Sequence, residues 1–162
     1  MGRFSMLLDL GTLPGDQGGD AVAINQLGQV AGNSLKSWDY DATVHPFLWE
    51  EGVMRPLNPQ FPNGPWWERV FAMNRFAAVA GARMVRTSLP GFFVEHAVVW
   101  DQGSVWDLGT LGADEWSHSE GLAINDRGDV VGWSHQSGDQ HTRHPVLWRR
   151  TDAAFLAAAR SR

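Results

Sequence analysis

The chain has no cysteine, one tyrosine and few basic residues, and its apolar residues nowhere form a long run. Without cysteine there are no disulfides and no thiolate zinc site, which suits the cytosol and also secreted proteins that fold without covalent staples. The 13 Lys and Arg are outnumbered by 18 Asp and Glu, for a net charge of −5. They are scattered, so the basic footprint of a nucleic-acid binder is missing. No stretch approaches the roughly 18 apolar residues that span a bilayer. Residues 1–11 carry one Arg and an apolar run broken by Asp9, which falls short of a signal-peptide core. The expectation is a soluble chain with no export address in these residues, and with neither nucleic acid nor membrane as partner. Catalytic signatures are missing too: there is no G-x-S-x-G elbow, no H-E-x-x-H pair and no phosphate-cradling glycine loop. Asp16 and Asp20 stand in a glycine-rich stretch without the alternating ladder of a calcium loop. These absences predict a protein that is not an enzyme and needs no metal or cofactor.

What is present points to β structure. The 162 residues are enough for one domain with a real core. With 43% hydrophobic and 19% charged residues the composition is globular. Its 18 Gly and 9 Trp suit short strands joined by tight turns, because Gly supplies positive φ at corners and flat side chains fill a pleated interior.

Self-comparison finds three copies of one unit. Ala23-Ile24-Asn25, Ala72-Met73-Asn74 and Ala123-Ile124-Asn125 align, each followed by a V-x-G step ending at Gly32, Gly81 and Gly132. Further on stand His45-Pro46-Phe47-Leu48-Trp49, His96-Ala97-Val98-Val99-Trp100 and His144-Pro145-Val146-Leu147-Trp148. The Asn-to-Asn steps are 49 and 51 residues, and the Trp-to-Trp steps are 51 and 48. The units run about 21–57, 70–108 and 121–150 within a single repeat domain of residues 1–150.

Each unit reads as four strands, in the first over residues 21–25, 29–33, 46–49 and 53–57, with Asn and Gly framing the first hairpin. The second unit ends its fourth strand, residues 104–108, in Asp107-Leu108-Gly109-Thr110-Leu111. The same phrase, Asp9-Leu10-Gly11-Thr12-Leu13, opens the chain. Residues 6–10 are therefore predicted to be a fourth strand without its first three, pairing beside 145–148. The third unit lacks the strand that this end has in surplus, and pairing an orphan strand satisfies an open sheet edge. Residues 151–162 are a tail, read over 151–160 either as a short helix or as a frayed end.

The phrases D-L-G-T-L, A-I-N-x-x-G-x-V-x-G and H-[PA]-[FV]-[LV]-W-x-x-G resemble those of the HAF repeat family of bacterial, often extracellular, repeat proteins, over about residues 7–149. The second unit departs, with Arg75-Phe76-Ala77-Ala78 at the hairpin, and Pro56-Leu57-Asn58 replaces Asp-Leu-Gly at the end of the first. The resemblance implies β-propeller-like blades more than an activity. Propellers use about 4–8 blades, so three predict half of a six-bladed ring closed by a homodimer, with strand exchange at the seam. The alternative is a monomeric three-fold fold, a β-trefoil or β-prism.

Residues that recur read as scaffold. His45, His96 and His144 resemble a three-His metal set, yet equal positions in separate units need not converge, and each is expected to bond a neighbouring loop. Trp49, Trp100 and Trp148 read as packing. Recognition is sought where the units differ, on the long connections 11–20, 58–69 and 109–120 between units and 33–44, 82–95 and 133–143 within them. The candidate binding residues there are Trp38, Asp39, Tyr40, Asp41, Trp66, Trp67, Trp116, His118, His135 and His141. Loop aromatics beside Asp and His suit a carbohydrate or a protein ligand, the alternative being an assembly module with no small ligand.

Overall fold

A computed structural model describes residues 6–38, 43–58 and 67–151. It is all-β, and each unit contributes one antiparallel sheet. The first sheet is β1 (Gly18–Ile24), β2 (Val30–Leu35), β3 (Val44–Glu50) and β4 (Val53–Pro56), adjacent in chain order. The second is β5 (Glu68–Met73), β6 (Val79–Arg86), β7 (Phe93–Asp101) and β8 (Ser104–Gly109). The third has only β9 (Ser119–Ile124), β10 (Val130–Gln136) and β11 (Asp139–Trp148) among the described residues, leaving β11 paired on one side by β10. The sheets form no barrel among the described residues, so the barrel that a trefoil requires is not there.

The repeated residues explain the repeated geometry. Each unit's Asn caps its own first hairpin: Asn25 Oδ1 accepts from the amides of Leu27 and Gln29, Asn74 Oδ1 from Phe76 and Ala78, and Asn125 Oδ1 from Arg127 and Asp129. The residue closing that turn has positive φ in all three units, Gly28, Ala77 and Gly128. The V-x-G glycine answers to another constraint. The first strand of each sheet carries a β-bulge, and the bulge drives the carbonyl of Asp20, Arg69 or Glu120 onto Gly32, Gly81 or Gly132. A Cβ at any of the three would lie far inside van der Waals contact with that oxygen.

Sheets stack through their first strands: β5 packs on β1, β2 and β3, and β9 packs on β5, β6 and β7. Between the first and second sheets Ala31 and Leu48 meet Val70, Val79, Val98 and Trp100, with Leu57 and Val105 against them. Between the second and third, Ala80 and Val99 meet Val130, with Leu108 and Trp148 alongside. Hydrogen bonds cross the same seams near the hairpins: Asn25 Nδ2 donates to the carbonyl of Arg75 at 3.2 Å and Asn74 Nδ2 to that of Asn125 at 3.0 Å.

Two expectations need correction. Residues 6–10 form no strand in the single chain; Leu10 and Leu13 pack on Val30 and Phe47 of the first sheet, and Met6, Leu7 and Leu8 are exposed. A lone chain offers that segment no sheet edge at this position. The connections 82–95 and 133–143 are largely strand, since β6 runs to Arg86, β7 starts at Phe93, and only Ser137 and Gly138 separate β10 from β11. Their polar residues resemble loop, but ladder hydrogen bonds need no continuous apolar face to form. The three sheets span residues 18–56, 68–109 and 119–148. The tail beyond Thr151 lies outside the described residues. No described helix is long and apolar enough to cross a membrane.

Candidate functional site

The repeated histidines do not converge. His45 Nδ1 lies 2.9 Å from Asp16 and His96 Nδ1 3.0 Å from Asp107. His144 has no acidic partner among the described residues, and no three His, Asp or Glu side chains there gather in a metal-binding group. The His–Asp pairs join neighbouring strands or a strand and its incoming loop, as scaffold positions should.

Some of the residues that differ between units, His118, His135 and Trp133, are brought together where the second and third sheets meet. His118, just before β9, stacks edge-on to His135 of β10 with ring centroids 5.6 Å apart, and His135 lies 5.1 Å from the ring of Trp133. The two segments are tied by the His135 amide, which donates to the carbonyl of His118 at 2.8 Å. Trp133 Nε1 donates to Glu120 Oε2 at 3.1 Å, and the Arg143 guanidinium covers the indole at 4.0 Å. His118 Nδ1 accepts from the amide of Glu95 at 3.2 Å, which fixes its tautomer with the proton on Nε2.

Electrostatics in this cluster are perturbed. Burial pushes the Glu95 carboxyl up to about 7, with repulsion from Glu120 adding to it and Arg69 and Arg143 acting against it. Burial, then the neighbouring His135 and His96, lowers the pKa of His118 and favours its neutral ring. The group can therefore exchange a proton near neutrality. It has no poised nucleophile: the hydroxyls of Ser119 and Ser134 are committed to the carbonyls of Gly109 and His135.

The remaining candidates lie apart from this cluster. Trp38 is exposed, with its ring over Gly18. Trp116 is exposed on the β8–β9 connection, edge-on to Phe92 at 5.1 Å. Trp67 is half-buried beneath Arg69, 4.8 Å from its ring. His141 is exposed in β11, its amide donating to Asp139 at 2.9 Å. Asp39, Tyr40, Asp41 and Trp66 lie outside the described residues.

Glu95, Glu120 and Trp133 fall at the ends of the connections 82–95, 109–120 and 133–143 expected from the sequence, but the structure places them in strands β7, β9 and β10. The signal that finds them is divergence inside the repeat. The residue before each repeated His is Val44, Glu95 or Arg143, and the residue after each V-x-G step is Asn33, Ala82 or Trp133.

No protein-family model, no curated protein and no solved structure matches the chain.

Proposed function

We propose that this chain is a non-enzymatic interaction and assembly module, three blades of a six-bladed β-propeller whose ring is completed by a second copy, as the resemblance to HAF repeats implies. One observation carries the reading. In the first two sheets the outward residues at two repeat positions are buried by the sheet that follows, Ala31 and Leu48 by the second, Ala80 and Val99 by the third. Their counterparts in the third sheet are Val131, 47% exposed against 0% for Ala80, and Leu147, 50% exposed against 7% for Val99. An apolar face made of larger side chains and left in water marks an interaction surface. At the other end of the stack, Val30, Phe47 and Trp49 stand in the places of Val79, Val98 and Trp100, with Val30 and Phe47 covered in the single chain by Leu10 and Leu13. Such a head-to-tail contact gives a ring if its rotation closes. Light scattering on the 162-residue chain at micromolar concentration tests it, and a mass of one chain would defeat the reading.

A second reading, a loop face that binds carbohydrate or a protein ligand, is favoured by the exposed Trp116–Phe92 pair, since flat apolar rings stack on sugars. A saccharide titration that leaves Trp fluorescence unchanged counts against it.

A further inference from the structure

We infer that residues 6–9 of a second copy form the missing fourth strand of the third sheet, lying along the open edge of β11 and filling a cavity beside it. The inference rests on the two-copy ring and names the segment that closes it.

The cavity holds about 260 Å³ and its apolar lining includes Val99, Leu108, Val130 and Trp148. The counterparts of these four one sheet earlier are Leu48, Leu57, Val79 and Trp100, which are packed together with Val105 of β8 leaning against them. The equivalent space is therefore filled where a fourth strand is present and open where it is not. Leu7 stands two residues before Asp9 as Val105 stands two before Asp107, in the same D-L-G-T-L phrase. In the single chain Leu7 is 98% exposed, an apolar side chain with a vacant counterpart site elsewhere on the molecule.

The register can be transposed directly. On β8, Val105 pairs with Trp100, Trp106 with Val99 and Asp107 with Val98. Carried to the third sheet, Leu7 faces Trp148, Leu8 faces Leu147 and Asp9 faces Val146. The charges agree with this register. His96 meets Asp107 across β7 and β8, and His45, whose fourth strand has Pro56 at that place, takes Asp16 instead. His144 alone has no acid among the described residues, and the donated strand brings Asp9 to it.

The route of the chain fits as well. After β8, Leu111 reaches the third sheet, its amide donating to Ser134 Oγ at 2.9 Å. At the N-terminus the Leu13 amide donates to Ser34 Oγ at 3.1 Å, the same position on the first sheet. Residues 10–13 are thus already seated on their own first sheet as the exit from a fourth strand belonging to a preceding sheet. The second sheet stands between the first and the third, so the β11 edge that residues 6–9 meet belongs to another copy.

Because the chain has no native cysteine, introduced thiols report this pairing cleanly. Leu8→Cys and Leu147→Cys chains, both altered at exposed positions, are mixed under mild oxidation and resolved on a non-reducing gel, with light scattering in parallel. Facing strand residues bring Cα atoms within disulfide range. The expected result is a disulfide-linked pair of chains from this mixture and none when Leu8→Cys is mixed with His141→Cys. Leu7→Asp, which places a charge against Val99, Leu108, Val130 and Trp148, is expected to weaken association by roughly tenfold or more. A two-chain mass without the Leu8–Leu147 link overturns strand donation and leaves the two-copy ring standing. A one-chain mass, as when the chain's own tail covers β11, overturns both.

Discussion

Two glycines in each unit obey different constraints, and substitution separates them. Gly28 has a φ of 78° and nothing within 4 Å of an added Cβ, so Gly28→Ala carries only the left-handed backbone cost, about 1 kcal/mol; Ala77, at a φ of 62°, shows that the turn accepts a methyl there. Gly81→Ala instead drives a methyl into the Arg69 carbonyl and the Trp100 ring, and chemical denaturation should show a loss of about 3 kcal/mol or more. The V-x-G step was legible in the sequence as a repeat, but its cause was not, because the bulge that presses a carbonyl onto it is a property of the paired strands. Much the same holds for the candidate site. His118 and His135 stand out by failing to repeat, whereas Glu95 acquires its importance only through burial beside Glu120. An acid whose pKa rises on folding, here from 4.5 to about 7, contributes stability at low pH that is lost as pH climbs through that interval. Glu95→Gln should match the parent chain's unfolding temperature at pH 4 and exceed it at pH 8, the difference growing between. A difference that stays constant with pH would contradict the assignment.

Strand identity was readable from the alternation and the Asn–Gly hairpins, and β3, β4 and β8 lie within a few residues of their expected places. Strand length was not. The polar run from His135 to Arg143 is strand because β10 and β11 pair around Ser137 and Gly138, from Gln136↔Asp139 back to Val130↔Trp148, and ladder hydrogen bonds need no apolar face to form. The N-terminal phrase shows the converse. Its sequence is that of a strand, but pairing requires an edge, so in one chain only its end, Leu10 to Leu13, is held. That hold depends on Ser34, whose fully buried hydroxyl accepts from the Leu13 amide. Ser34→Ala leaves this buried donor unpaired and should cost about 1–3 kcal/mol locally. Hydrogen exchange followed by mass spectrometry should show faster exchange at residues 10–16 while β2 and β3 keep their protection.

At the scale of the whole molecule, the three sheets form a stack with unlike ends. One end presents Val131 and Leu147, the other Val30 and Phe47 under the docked Leu10 and Leu13. The hydrogen bonds that run from Asn25 to the second sheet and from Asn74 to the third stop at Asn125, whose Nδ2 turns to Asp129 at 3.2 Å. Each seam inside the chain is therefore a template for one more seam that the chain cannot make with itself. Repetition of the unit was legible in the sequence, whereas the N-terminal phrase that repeats a fourth strand forms none in the single chain, and which faces stay open required the packing. With three sheets per chain, two chains supply the six that a propeller ring accommodates. The most direct measurement is the mass in solution of the 162-residue chain by light scattering across micromolar concentrations. The account predicts a single species of two chains, twice 17.9 kDa, that does not grow as concentration rises. A mass of one chain, or a series that lengthens with concentration, would contradict it.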